Sequence, residues 1–266
     1  MFIGEESGLA AVFDGVGGSA AGQVASQFAV HATRDTWFST LAHIQQARKY
    51  YTLLNNLGTE VVNALLERLI QQADQRVRVD GARKAGTDDL ATTAALALIC
   101  RDEQEYALFY AHVGDSRVYL QRHDQPLERL TSDDGLLAKL VENHVVQEED
   151  AYRIDQVMRA DQLNETEFSY FRLRGGITQA LGGPVPPVIH VNKVALRPGD
   201  RVLLCTDGIH DNLIDKEIET ILRSTFRTST ARILVEQALH RSREERSMTI
   251  RAKPDDMSAI VITCCF

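Results

Sequence analysis

The chain has 266 residues, 44% hydrophobic and 25% charged, which argues against wholesale disorder and against a fibrous repeat. Its 29 Lys and Arg against 37 Asp and Glu give a net charge of -8, so there is no excess of cations to neutralise nucleic-acid phosphates or an anionic membrane, whereas metal cations remain compatible. No apolar run reaches the ~18 residues of a bilayer span and the start lacks a secretion signal; Cys100, Cys205, Cys264 and Cys265 are too few for a disulfide framework, so a cytoplasmic setting is expected.

In chain order, Leu9-Ala-Ala-Val-Phe13 reads as an apolar strand that stops at Asp14-Gly15. A helical pattern runs from about Ala20 to Ile44. A second, from Thr59 to Val77, places Val61, Val62, Leu65, Leu66, Leu69, Ile70, Ala73 and Val77 at steps of three and four, the signature of an amphipathic outer helix. Strands are then predicted at Thr92 to Cys100, Tyr106 to Val113 and Arg117 to Gln121, with connections short enough to join antiparallel neighbours. Ala94-Ala-Leu-Ala-Leu-Ile99 and Val202-Leu-Leu-Cys205 are apolar at consecutive positions, which implies cover on both faces. Gly135 to Gly176 is polar and rich in helix formers, an inserted flap. Strands resume at Val188 to Leu196 and Val202 to Cys205. Helices at Asp215 to Arg223 and Ser229 to Arg243 precede a last strand, Ser258 to Cys264. With no internal repeat and no linker, one domain over 1–266 is the economical organisation.

Acidic residues recur at strand ends: Asp14, Asp115, Asp207, and Asp255 just before the last strand. In an antiparallel sheet the end of one strand lies beside the start of its neighbour, so the four can gather at one edge. Carboxylates gathered in this way repel unless a cation sits among them. Aspartate oxygen ligands favour magnesium or manganese over zinc. Two such ions hold a nucleophilic water and neutralise a transferring phosphoryl group, with no nucleophilic side chain needed. Taken singly, each Asp-Gly or Gly-Asp-Ser is as well explained as a turn.

The segments Val12-Phe-Asp-Gly-Val-Gly-Gly18, Gly86-Thr87 with Ala91-Thr-Thr-Ala94, Ala111-His-Val-Gly-Asp-Ser-Arg117, Leu130-Thr-Ser-Asp133, Ile177-Thr-Gln-Ala-Leu-Gly182, Leu204-Cys-Thr-Asp-Gly-Ile-His-Asp211 and Pro254-Asp-Asp-Met-Ser-Ala-Ile260 resemble, in order, the motifs of the metal-dependent protein phosphatases of the 2C type, bacterial members included. The resemblance implies an α+β fold, a four-layer αββα sandwich of two antiparallel sheets flanked by helices. It also implies hydrolysis of phosphoserine and phosphothreonine in proteins with two Mg2+ or Mn2+ ions and sometimes a third. By that resemblance Asp14 bridges both metals, the Gly15 carbonyl is a ligand, and Asp207 and Asp255 are further ligands and catalytic residues. Asp255 is preferred to Asp256 because the family's aspartate stands three residues before the serine of that motif. Asp115 and Asp211, with Asp207, match a third, looser metal site. The partner implied is a phosphoprotein whose phosphate a Ser/Thr kinase installs.

Two departures stand out. Val16 occupies the position where some members carry a histidine proposed as general acid. The family's opening strand, with a phosphate-binding arginine and an acidic pair, has no counterpart before Asp14; Met1-Phe-Ile3 looks like its tail, and Glu5-Glu6 fall in a predicted Gly4 to Gly8 hairpin turn. A truncated first strand is therefore expected, with one weakened metal site. The alternative it raises is a catalytically weak or inactive pseudophosphatase that binds proteins. Two other readings fail: Gly15-Val-Gly17-Gly-Ser-Ala20 as a dinucleotide fingerprint sets Asp14 against a pyrophosphate, and neither Cys100 nor Cys205 has the arginine six residues later that a cysteine phosphatase uses.

Overall fold

The computed structural model of the protein describes residues 1–4, 7–17, 20–47, 57–102, 105–226 and 228–265. Its elements begin with β1 (Phe2–Gly4), β2 (Leu9–Val12), α1 (Ala20–Ala47), α2 (Thr59–Arg76), a π turn at Val77–Gly81, α3 (Ala82–Ala85), β3 (Ala94–Asp102), β4 (Glu105–Val113), β5 (Arg117–Gln121) and β6 (Glu128–Arg129). They continue with α4 (Leu136–Glu142), α5 (Glu148–Asp155), a 3-10 turn at Ala160–Gln162, α6 (Glu165–Leu173), β7 (His190–Ala195), β8 (Arg201–Cys205), α7 (Asp207–His210), α8 (Asp215–Ser224), α9 (Thr230–Ser242) and β9 (Ala259–Thr263). The chain divides into two units, Met1–Val113 with Gln179–Arg197, and Gly114–Thr178 with Pro198–Phe266. Glu5, Glu6 and Gly18 of the sequence motifs lie outside the described residues.

The first unit is built on an antiparallel sheet of order β1-β2-β3-β4-β7. Of the stripe read from sequence, Val61 is instead exposed, Val77 is buried in the π turn, and α2 buries Val62, Leu65, Leu66, Leu69, Ile70 and Ala73. These pack with Leu9, Ala11, Leu96, Leu98, Phe109 and Ala111, which alternate along their strands and so point to one side of the sheet. Each large side chain buried there contributes roughly 1.5–3 kcal/mol. Trp37 of α1 is fully buried and its indole N–H donates to Ser7 Oγ at 2.7 Å, so its one polar atom is satisfied. Beyond α2 the π turn brings round Arg78, whose guanidinium donates to Asp74, Gly183 O and Val185 O. Asp74 in turn accepts the Gly182 N–H at 2.7 Å, which pins the Gly-Gly-Pro stretch.

The second unit carries an antiparallel sheet of order β6-β5-β8-β9. Ile218, Ile221 and Leu222 of α8 and Leu234 and Ala238 of α9 cover it, against Tyr119, Leu203, Cys205 and Ala259. Gly135 to Gly176 is helical, as its composition suggested, and is closed at its base by the Gly135–Ile177 bridge. Ile154, Val157 and Phe171 give it a small core of its own.

One expectation fails. The short Gly114-Asp115-Ser116 link does not join antiparallel neighbours, because β4 belongs to one sheet and β5 to the other. Connection length predicts pairing only when the chain folds back in its own sheet, and here Gly114, at φ +93°, turns it elsewhere. Asp134 fixes the turn, its carboxylate accepting the Gly114 N–H at 2.9 Å and its own N–H donating to Gly114 O at 3.0 Å. Among the described residues no helix is long and apolar enough to cross a membrane.

Candidate active site

In the first unit, the end of β2 delivers Asp14, and the Ala91-Thr92-Thr93 segment holds its backbone. The Asp14 N–H donates to Thr93 Oγ1 at 3.1 Å, and the Asp14 carbonyl accepts from the Thr93 N–H at 2.8 Å and Thr92 Oγ1 at 2.7 Å. Gly15 bridges to Thr92, and the Val16 N–H donates to Ala91 O at 2.9 Å. A Cβ on Gly15 would lie 2.2 Å from the Gly22 carbonyl oxygen, so only glycine lets the first turn of α1 approach the loop this closely.

In the second unit, β8 ends at Cys205 and α7 begins at Asp207, while the segment entering β9 runs alongside. The Thr206 N–H donates to Ser258 O at 3.1 Å, and the Ser258 N–H donates to Thr206 Oγ1 at 3.0 Å. Gly208 permits this approach, since a Cβ there would stand 2.2 Å from the Asp256 carbonyl oxygen. The result is a convergence of carboxylates on one ammonium. Lys253 Nζ lies 2.5 Å from Asp207 Oδ2, 2.7 Å from Asp211 Oδ2 and 3.1 Å from Asp255 Oδ2. Asp255 Oδ1 accepts the Asp256 N–H at 2.9 Å. The second oxygen of Asp207, Oδ1, is buried without a hydrogen-bond partner among the described residues.

Asp115 stands near the same group of charges. Burial pushes its carboxyl well above the usual range, and the neighbouring charges of Asp207, Asp133 and Asp211 push it further the same way. Its carbonyl oxygen is 3.0 Å from His210 Nε2; a carbonyl only accepts, so that nitrogen carries the proton. Burial, with the Arg117 charge, lowers the His210 imidazolium pKa and keeps the ring neutral. For Asp211, burial acts to raise the carboxyl, but the Arg174 guanidinium and Lys253 ammonium outweigh it and hold it below the ordinary carboxylate range.

A set of arginines backs this group. Arg117, buried, makes a two-pronged pair with Asp133 at 2.9 and 2.6 Å and reaches Asp155 at 3.2 Å. Arg174, at the end of the flap, lies 4.2 Å over the Phe171 ring, 3.7 Å from Asp155 Oδ1, and donates to the Asp211 carbonyl at 3.1 Å. Arg251, fully buried, donates to the carbonyls of Asp155 and His210.

Of the residues singled out from sequence, Asp207, Asp211 and Asp255 are thus gathered by one side chain, with Asp115 close enough to feel their charge. Asp14 and Gly15 belong to the first unit, on the loop that the two threonines fix. Sequence reasoning missed Lys253, Arg174, Arg251 and Asp155. A single lysine two residues before Asp255 carries no spacing signal, although its place next to a motif aspartate was in view.

The donor set suits hard divalent cations: carboxylate oxygens, one of them buried with its hydrogen-bonding capacity unused, and no sulfur among them. Comparison with known proteins agrees. The family model of protein phosphatase 2C matches residues 3–242. A putative 2C-type protein phosphatase of Streptococcus pyogenes is 31% identical over 219 residues, covering 81% of this chain and 73% of its own. The serine/threonine phosphatase stp of Listeria innocua is 26% identical, with 80% and 71% covered. The crystal structure of the Mycobacterium tuberculosis serine/threonine phosphatase PstP/Ppp superposes with a TM-score of 0.68 at 26% identity, over 97% of this chain and 88% of that one. The PstP catalytic domain in complex with two manganese ions gives 0.62 at 25% identity, over 96% and 87%. With the two helix-flanked antiparallel sheets and the ordered motifs, these matches establish that the chain belongs to the protein phosphatase 2C family of metal-dependent serine/threonine phosphatases.

Proposed function

We propose that the chain releases phosphate from phosphoserine and phosphothreonine in proteins, opposing a Ser/Thr kinase in the cytoplasm. In this reading Asp14, the Gly15 carbonyl, Asp207 and Asp255 hold two Mg2+ or Mn2+ ions, and Asp115 and Asp211 join Asp207 at a third, looser site. The observation that carries it is the Asp207, Asp211 and Asp255 cluster with the buried, unused Asp207 Oδ1, a donor arrangement that a divalent ion completes. When bound, such ions supply an activated water and draw off charge from the transferring phosphoryl group.

The chain's own residues prepare the rest. The two threonines fix the Asp14 backbone so that its carboxylate is presented from a rigid loop. Gly208 brings Asp255 beside Asp207, and neutral His210, donating to the Asp115 carbonyl, orients that residue without adding charge. No side-chain nucleophile is called for, and Cys205 is unsuited to the part, since it is fully buried and burial holds its thiol far above neutrality. Val16 offers no proton, so the leaving alkoxide takes one from water or from the substrate.

The test is phosphate release from a phosphothreonine peptide with Mn2+ present. Wild type should turn over, EDTA should stop it, and Asp207→Asn should lower it at least ~100-fold, in line with removing a group that stabilises the transition state. Equal phosphate release by wild type and Asp207→Asn would defeat the reading.

A further inference from the structure

The Lys253 ammonium is seated where three carboxylates converge: it donates to Asp207 Oδ2 at 2.5 Å and to Asp211 Oδ2 at 2.7 Å, and it pairs with Asp255 Oδ2 at 3.1 Å. Asn212, fully buried, builds it in: the Lys253 N–H donates to Asn212 Oδ1 at 3.1 Å, while Asn212 Nδ2 donates to the carbonyls of Lys253 and Gly208, both at 2.9 Å. The backbone of Lys253 is therefore tied to α7, which opens with Asp207, and to the turn after it that carries Asp211. Its side chain is held less firmly, being 38% exposed, so the flexible stem has a route to solvent. Two positive charges, Lys253 and the Arg174 guanidinium 3.6 Å from Asp211 Oδ1, face three formal negatives, which leaves a net negative charge that attracts a cation of higher charge in place of the ammonium.

We infer that Lys253 is a tethered cation that competes with a divalent metal ion for Asp207, Asp211 and Asp255, so that metal binding in the second unit requires the ammonium to swing out. The inference rests on the proposed metal-ligand role of Asp207 and Asp255, and it concerns affinity, not the chemical step. An ammonium and a divalent ion cannot share the same carboxylate oxygens without strong repulsion at a few ångströms. The lysine thus screens the acidic cluster when metal is scarce and sets the concentration at which metal displaces it.

The experiment compares wild type with Lys253→Met, Lys253→Gln, Lys253→Arg and Asp207→Asn, each stripped with EDTA, dialysed and titrated with Mn2+. Binding is read from calorimetric heat and from free Mn2+ by electron paramagnetic resonance. Lys253→Met and Lys253→Gln should bind Mn2+ at least ~10-fold more tightly, and Lys253→Arg, which keeps the charge, should show no such gain. The two uncharged variants should melt below wild type without metal and recover at saturating Mn2+. In the unmodified chain, the 15N signal of the Lys253 ammonium should shift on adding Mg2+, a readout that needs no variant to fold. Unchanged or weaker Mn2+ binding by Lys253→Met and Lys253→Gln, or an ammonium signal indifferent to Mg2+, overturns the competition while Asp207→Asn still loses metal. Retention of Mn2+ binding and phosphate release by Asp207→Asn would instead overturn the phosphatase site assignment itself.

Discussion

Gly208→Ala tests how the second unit holds the Asp207 and Asp255 carboxylates together. The added Cβ would start 2.2 Å from the Asp256 carbonyl oxygen, a backbone atom, whereas real Cβ atoms keep at least 3.0 Å, so the two segments must part by about 0.8 Å. Neither side yields easily. Asp207 is tied through Thr206 to Ser258, and the carbonyl of Gly208 itself accepts from Asn212. Overpacking of this kind costs roughly 1–3 kcal/mol. A shift approaching 1 Å between Asp207 and Asp255 should also lower turnover by ~10–100-fold, the scale on which misplaced catalytic groups lose rate. Urea denaturation followed by tryptophan fluorescence gives the first quantity, and Mn2+-dependent phosphate release from a phosphothreonine peptide gives the second. Gly175→Ala is the steric control, since nothing lies within 4 Å of a Cβ there, and its stability should change by less than about 0.5 kcal/mol. A Gly208→Ala protein with wild-type midpoint and wild-type turnover would show that the close approach has no bearing on the site.

Arg117→Met should cost about 3–5 kcal/mol in urea denaturation, because it leaves Asp133 and Asp155 buried without their main counter-charge; a loss below about 1 kcal/mol would contradict that account. The Asp155 carboxyl should make an acid limb in stability. Burial alone would raise its pKa, but Arg117, Arg251, Arg174 and Arg129 outweigh burial and hold it below the ordinary range. Its contribution is therefore fully present above the unfolded carboxylate pKa of about 4 and is lost as pH falls through the depressed folded value. Melting temperatures of wild type and Asp155→Asn should accordingly converge as pH drops below about 4, and a gap that stays constant would rule the linkage out.

What could be read from sequence follows from what each signal encodes. The continuous apolar run Ala94 to Ile99 and the stripe Val61 to Val77 report burial directly, and apart from the exposed Val61 and the half-buried Ile99 their residues lie in the core. Asp14 and Asp207 were visible because each follows an apolar strand and precedes a glycine, and Gly15 and Gly208 turn out to be needed for close backbone approach. The passage at Gly114 was not visible, since a three-residue link looks the same whether the next strand pairs with the last or joins another sheet. The π turn after α2 was missed for a similar reason: Val77 continues the apolar spacing, and one extra residue per turn leaves no mark in composition. Lys253 was beyond reach because its role depends on three aspartates that only folding brings to it.

The cations around the acidic cluster differ in how firmly they are held, and that difference decides which of them can respond to metal. Arg117 is clamped in two-pronged fashion to Asp133 and also donates to Tyr119 Oη at 3.0 Å. Arg251 is fixed by carbonyls from the flap and from α7, and Arg174 is stacked on Phe171. Each planar guanidinium is thus anchored through several directed contacts, and withdrawing any of them would leave buried carboxylates or carbonyls without donors. Lys253 has a different design: a compact charge on a four-carbon stem, partly open to water, whose only side-chain partners among the described residues are the three aspartates. A divalent ion that takes those aspartates leaves no other group unsatisfied when the ammonium returns to solvent. The arginines therefore fix the standing field behind the cluster, and the single lysine is the charge that can be exchanged.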